Sequence, residues 1–188
     1  MRSVQNARLI CHPTTPCHAV RGIDVRAGRS ADGQLTLTFG IDGDLGRVRL
    51  PPSRAPRFAT ELWQHTCLEA FIARDGAPAY HEYNLAPSGE WALYAFRKYR
   101  EGGPIEDDVR APRIEARRAP ERFELDAAIR LDLLAPGYVG APLRLGLSAV
   151  VEEGDGLLSY WALSHPAERP DFHHAAARTM RLAPPEGE

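Results

Sequence analysis

The chain has little cysteine and no pattern in the cysteine it has. Cys11, Cys17 and Cys67 are an odd number without framework spacing, which argues against a disulfide-stapled secreted domain. Neither sign of charge is in excess. The 23 Lys and Arg against 25 Asp and Glu leave a formal net charge of −2, so the basic field that nucleic acid or an anionic membrane would require is missing. No stretch approaches the roughly 20 apolar residues that span a bilayer, and Met1 to Arg8 contains no apolar run of signal-peptide length. A cytoplasmic protein without nucleic-acid partners is the expectation. Nucleophile elbow, P-loop and dinucleotide fingerprint are all absent from the sequence.

What is plentiful is punctuation and alternation. With 16 Gly and 16 Pro among 188 residues, the chain suits many short strands better than long helices. Leu35 to Ile41, Phe123 to Ala127 and Leu143 to Ala149 alternate apolar with polar or small residues, the period of a strand with one face toward a core. Further strands are expected at Trp63 to Ile72, Tyr80 to Leu85, Trp91 to Phe96, Arg113 to Arg117 and Leu158 to Leu163. Ala86-Pro87-Ser88-Gly89-Glu90 is turn chemistry and predicts a hairpin over Tyr80 to Phe96. Gly102-Gly103-Pro104 and Ala135-Pro136-Gly137 read as breaks. Short helical turns are expected at Ser53 to Leu62, Ala127 to Leu134 and from Asp171. Eight or so strands without βαβ alternation imply an all-β, antiparallel β-sandwich, immunoglobulin-like or jelly-roll-like. Residues 1–182 read as one domain and 183–188 as a frayed tail.

The richest segment for chemistry is Leu62 to Ile72. As one continuous strand it would set Trp63, His65, Cys67, Glu69 and Phe71 on a single face. A ring beside a carboxylate could bind a sugar, the ring packing on C–H groups while the carboxylate accepts hydroxyl hydrogen bonds. The alternative is a core tryptophan with a surface glutamate. The aromatic residues of the Tyr80 to Phe96 hairpin are expected mostly in the core, as cross-strand pairs. His165, His173 and His174 match no metal-ligand spacing and read as solvated or capping, and the Cys11-His12 and Cys17-His18 doublet fits neither zinc nor c-type haem attachment. No metal site is expected. Gly40 to Gly46 has a superficial calcium-loop look but lacks the terminal Glu, so a turn explains it better.

Taken in order, Leu62 to Phe71, Glu82 to Trp91, Phe96 to Arg100, Tyr160 to His165 and Pro170 to His173 resemble bacterial DOMON-like domains, which are related to family-nine carbohydrate-binding modules. The resemblance covers most of the chain. It implies a β-sandwich that binds a sugar or haem without catalysis. In the sugar-binding relatives two tryptophans clamp the sugar ring and a carboxylate holds its hydroxyls. Trp63 with Glu69 resembles the first half of that arrangement and Trp161 the second tryptophan. The amide that those relatives place shortly before the second tryptophan has no counterpart at Leu157-Leu158-Ser159. In the haem-binding relatives Met with His or Lys ligates iron. Here the methionines are Met1 and Met180, which leaves a bis-His or single-His haem through His65 or His165 in that alternative.

The expectation is therefore a noncatalytic module for a small ligand, carbohydrate-like, with Trp63, His65, Glu69, Asn84, Trp161 and His165 as the binding residues. The alternatives are a haem carrier and a regulatory or interaction domain in which these aromatic residues are simply core.

Overall fold

The computed structural model describes residues 3–184. The first sheet runs β8 (Arg113–Arg118), β9 (Arg122–Arg130), β3 (Gln34–Gly43), β2 (Val20–Arg29) and β1 (Ser3–Cys11), every neighbour antiparallel. The second runs β7 (Glu101–Pro104), β6 (Trp91–Lys98), β5 (Tyr80–Leu85), β4 (Cys67–Arg74), β10 (Leu143–Glu152) and β11 (Leu158–Ala162), again antiparallel. Strand β10 shares its far edge between β11 and the short β12 (Met180–Leu182). Strand β1 is the corner: Ser3 to Leu9 pair with β2, while Ile10 and Cys11 pair with Ala162 and Trp161 of β11.

This is an all-β sandwich, as the alternation requires. In β9 the burial alternates strictly, with Phe123, Leu125, Ala127 and Ile129 inward. These meet Leu68, Ile72, Leu145, Leu147 and Trp91 of the second sheet in one core cluster. A fully buried side chain of this size contributes about 1.5–3 kcal/mol. The hairpin closes through Ala86 N–H to Glu90 O at 2.9 Å and Gly89 N–H to Ala86 O at 2.9 Å. Gly89 adopts φ +94, a conformation that other residues avoid.

Four strands escape sequence reading: β1, β2, β7 and β12. Gly102-Gly103-Pro104 is strand rather than break. Gly102 lies so close to Ala95 that a Cβ would stand 1.9 Å from its carbonyl oxygen, so glycine serves there for sheet contact. Strand β4 begins at Cys67, four residues later than expected. Glu61 takes a left-handed φ of 60, and the N–H groups of Gln64 and His65 bond back to Glu61 O and Leu62 O, both at 3.1 Å. Those local bonds wind Leu62–Gln64 into a 3-10 turn instead of a ladder. Residues 53–61 hold no helix, and the helical turn expected over Ala127 to Leu134 is confined to α1 (Leu131–Leu134) after β9 ends. Ala183 and Pro184 are irregular, and 185–188 lie outside the described residues. No helix among the described residues is long and apolar enough to cross a membrane.

Candidate functional site

Strands β4 and β10 are buried on both faces, which is unusual for an antiparallel sheet that could leave one face to water. The inner face packs the core. The outer face is roofed by the Leu62–Gln64 turn and by the segment after β11, and between them opens a cleft of about 510 Å³.

Register decides what lies on its floor. Glu69 stands opposite Ser148 on one side and Asn84 on the other. Phe71 stands opposite Glu82, and Glu82 opposite Tyr94. Period two then sends Glu69, Phe71, Glu82, Tyr94, Phe96 and Val150 toward the cleft, and their neighbours Leu68, Ile72, Tyr83, Leu93 and Ala149 toward the core. The walls are Trp63 from the 3-10 turn, Tyr160 from β11, Arg100 with Gly102 to Pro104 from the β6–β7 hairpin, and Pro170, Phe172 and His173 from the segment after β11.

That last segment is fastened to the opposite wall. Arg100 Nη2 donates to Asp171 Oδ1 at 3.1 Å and the Tyr99 hydroxyl donates to Asp171 Oδ2 at 2.8 Å. Arg100 occupies the left-handed region at φ 53, which turns its side chain toward the cleft. His173 sits between Tyr80 and Glu82: Nδ1 is 2.9 Å from the Tyr80 hydroxyl and Nε2 is 3.7 Å from Glu82 Oε2. The Tyr80 oxygen already accepts the Arg100 N–H at 3.2 Å. Donation of its own proton to Nδ1 leaves the ring proton on Nε2, facing Glu82.

Burial dominates the electrostatics. It pushes Glu69 well above the usual carboxylate range, and the Glu82 charge adds to the push, while Ser148 Oγ, donating to Oε2 at 3.4 Å, pulls the other way. Burial also raises Glu82 to about 7, with Asn84 and Arg100 partly offsetting it. His173 is lowered to about 4, first by burial and then by the Arg100 charge. The cleft thus holds two carboxyls that burial biases toward the neutral form, Glu82 with its midpoint near 7, beside an imidazole biased toward the uncharged form. Asn84 lies on the same sheet face, wholly buried and near enough to Glu82 to pull its carboxyl down, yet neither its Oδ1 nor its Nδ2 makes a hydrogen bond of good geometry. Such an orphaned amide is costly and uncommon in folded proteins.

The sequence-derived residues distribute as follows. Trp63 (49% exposed) and Glu69 both line the cleft, though on a turn and a strand rather than on one strand. Asn84 belongs to the floor strand, beneath the lining. Trp161 does not face Trp63. It is 6% exposed, lies in the core cluster, and its Nε1 donates to Ser159 Oγ at 3.0 Å. Its strand neighbour Tyr160 takes the cleft side. His65 is outside the cleft, with Nδ1 2.8 Å from Glu152 Oε2. His165 is outside as well, with Nε2 2.7 Å from Ile10 O and its ring edge-on to His12.

The residues expected for haem therefore do not converge here. His65 and His165 are turned to Glu152 and to Ile10, and Met180 lies in the core. Among the described residues no group of three metal-ligating side chains occurs. His174 caps a 3-10 turn, its Nδ1 accepting from Ala176 N–H at 3.1 Å, which agrees with the capping expectation. His173, read from sequence in the same way, is a cleft residue. The hairpin aromatics divide: Tyr83 and Trp91 are core, whereas Tyr94 and Phe96 line the cleft. Glu82, Tyr94, Phe96, Tyr160, Phe172 and Arg100 were not singled out by sequence reasoning. The parity of Glu82 with Asn84 was the available signal.

The arrangement is suited to recognition. Flat rings can pack against C–H faces while the carboxyl groups and the amide exchange hydrogen bonds with hydroxyls. The nearby thiol, Cys67, is fully buried and pushed well above its ordinary value by burial and by Glu69, which makes it inert as a nucleophile.

No protein-family model matches the chain, and no curated protein matches it. Solved structures do. A protein from Bacteroides uniformis ATCC 8492, described as a candidate carbohydrate-binding protein, is 16% identical with a TM-score of 0.69 over 92% of this chain and 83% of that one. A family 9 carbohydrate-binding module from Caldicellulosiruptor kristjanssonii in complex with glucose is 11% identical with a TM-score of 0.48 over 82% of this chain and 73% of its own. At such identity the likeness to the first is a likeness of fold. Neither is described as a DOMON domain.

Proposed function

We propose that the protein is a noncatalytic binding module whose ligand is a carbohydrate or a similar polyhydroxy compound, held in the cleft on the outer face of the second sheet. One observation carries the reading. A deep cleft walled by Trp63, Tyr94, Phe96, Tyr160 and Phe172 has two buried carboxyl groups on its floor, with an unpartnered Asn84 amide beside them. Sugars present an apolar C–H face and a rim of hydroxyls, which is the complement of such a wall and floor. Buried carboxyl groups accept hydrogen bonds from such a rim, and burial biases them toward the form that can also donate. The fold is shared with a candidate carbohydrate-binding protein, which agrees with the reading while the ligand class comes from the cleft.

In this reading Trp63 is the exposed stacking platform. Tyr160 and Phe172 take the opposing role that the sequence suggested for Trp161. The test is calorimetric titration with mono- and disaccharides, followed by Trp63→Ala and Glu69→Gln. Saturable binding that both substitutions weaken at unchanged fold supports the reading. Binding indifferent to both, or no binding to any polyol, overturns it.

A further inference from the structure

Resting on the cleft reading above, we propose that the preferred ligand carries a protonated amine, so that an amino sugar or amino polyol binds in preference to its neutral counterpart, with Glu69 and Glu82 as the cation receptor.

The charge arrangement points this way. Every cation near the two glutamates is committed elsewhere. Arg100 is paired with Asp171 at 3.1 Å. Arg178 lies over the Tyr80 ring at 4.6 Å, and its Nη1 donates to His173 O at 3.2 Å. His173 comes within 3.7 Å of Glu82 but is held neutral at ordinary pH. The other polar or titratable groups facing the pair are Cys67 on β4, Tyr80 and Asn84 on β5, Tyr94 on β6 and Ser148 on β10, none of them cationic. Among the described residues, neither glutamate is within 4.0 Å of a Lys or Arg nitrogen. Two buried carboxyl groups without a counter-ion can ionise only at a cost. A ligand ammonium removes that cost.

Two further observations are independent of the carboxyls. The rings of Tyr94, Phe96, Tyr160 and Phe172 enclose the same space, and aromatic faces attract cations most strongly where water is excluded. The Asn84 amide is fully buried without a partner. It stands opposite Glu69 and two residues along β5 from Glu82, on the face that floors the cleft.

Proton linkage follows. Without ligand, burial keeps a proton on the pair near neutrality. An arriving ammonium favours the ionised form, so binding releases that proton to the buffer.

The experiment is calorimetric titration of the full chain at about pH 6.5, where the amine is fully protonated, with glucosamine, glucose and N-acetylglucosamine, each in phosphate and in Bis-Tris. Glucosamine is expected to bind about tenfold tighter than the other two or better, equivalent to about 1.4 kcal/mol. Its heat alone should differ between the buffers, reporting the released proton. Glu82→Gln should erase the preference, bringing glucosamine and glucose to within about threefold of each other. Tyr94→Leu, which keeps bulk but removes the ring face, should reduce the preference if Glu82→Gln does not fold. Equal or tighter binding of glucose or N-acetylglucosamine overturns the inference and leaves the cleft reading standing, as does a preference that survives both variants. No binding by any of the three sugars overturns both.

Discussion

Tyr160 and Trp161 are consecutive residues of β11 that serve opposite faces of the second sheet. Tyr160 pairs with Val150, and both line the cleft. Trp161 pairs with Ala149 and Cys11 and is buried in the core. A single-residue step in register therefore separates a ligand-facing ring from a structural one.

The first prediction concerns this pair. Trp161→Ala removes a buried indole and should cost about 3–5 kcal/mol of stability. Tyr160→Ala removes a half-exposed ring, so it should leave stability within about 1 kcal/mol and weaken sugar binding. Denaturant titration of both variants, with calorimetry on the folded fraction, separates the roles. Equal destabilisation by the two would show that Tyr160 is core after all.

The pH dependence of stability has a worked sign. Glu82 is raised from 4.5 to about 7 by burial. Between those values the folded protein keeps a proton that the unfolded chain has released, so stability falls as pH rises. His173 is lowered from 6.5 to about 4. In that window the unfolded chain binds a proton that the folded protein refuses, so stability falls as pH falls. Each shift is equivalent to about 3 kcal/mol over its full range. Between about pH 4.5 and 6.5 the Glu82 and His173 slopes cancel and the Glu69 slope, which has the sign of Glu82, remains. Stability should thus decline as pH rises from about 4.5, and more steeply between about 6.5 and 7, where the histidine no longer opposes. Glu82→Gln should flatten the profile below about pH 6.5, and His173→Asn should steepen the decline from about pH 5. Coincident profiles for wild type and Glu82→Gln would contradict this account.

Asn84 offers a third test. Because its amide makes no hydrogen bond of good geometry, with Glu82 its one polar influence, Asn84→Ala should change stability by less than about 1 kcal/mol. Sugar affinity should fall, as expected for a group kept for a ligand. A large loss of stability with unchanged binding would mark Asn84 as structural.

The fourth concerns the wall formed after β11. Asp171→Asn weakens the contacts from Arg100 and Tyr99. Partly exposed ion pairs of this kind contribute little, about 0–1 kcal/mol, so global unfolding should barely move. Amide exchange over residues 164–174 should accelerate and ligand dissociation should quicken. Unchanged exchange there would mean that other contacts hold the wall.

The sequence by itself determined the sandwich. Strict period-two alternation in Leu35 to Ile41, Phe123 to Ala127 and Leu143 to Ala149 admits a half-buried strand and little else, and Pro87 with Gly89 fixed the hairpin turn. It also brought Trp63 and Glu69 forward together. Tertiary structure alone decided which side of each strand faces ligand, because alternation names two faces without saying which is inner. That ambiguity is greatest where both faces are buried, as in β4, β5 and β10, and around them Glu82 on β5, Tyr94 on β6 and Tyr160 on β11 could not be told from core while Trp161 could be mistaken for site. Local hydrogen bonds at Glu61 to His65 ended the strand pattern early, which a side-chain period does not register. The two histidines expected beside the ligand were drawn off by Glu152 and by Ile10, partners 87 and 155 residues away along the chain. Contacts at that separation exist only once the sheets have closed.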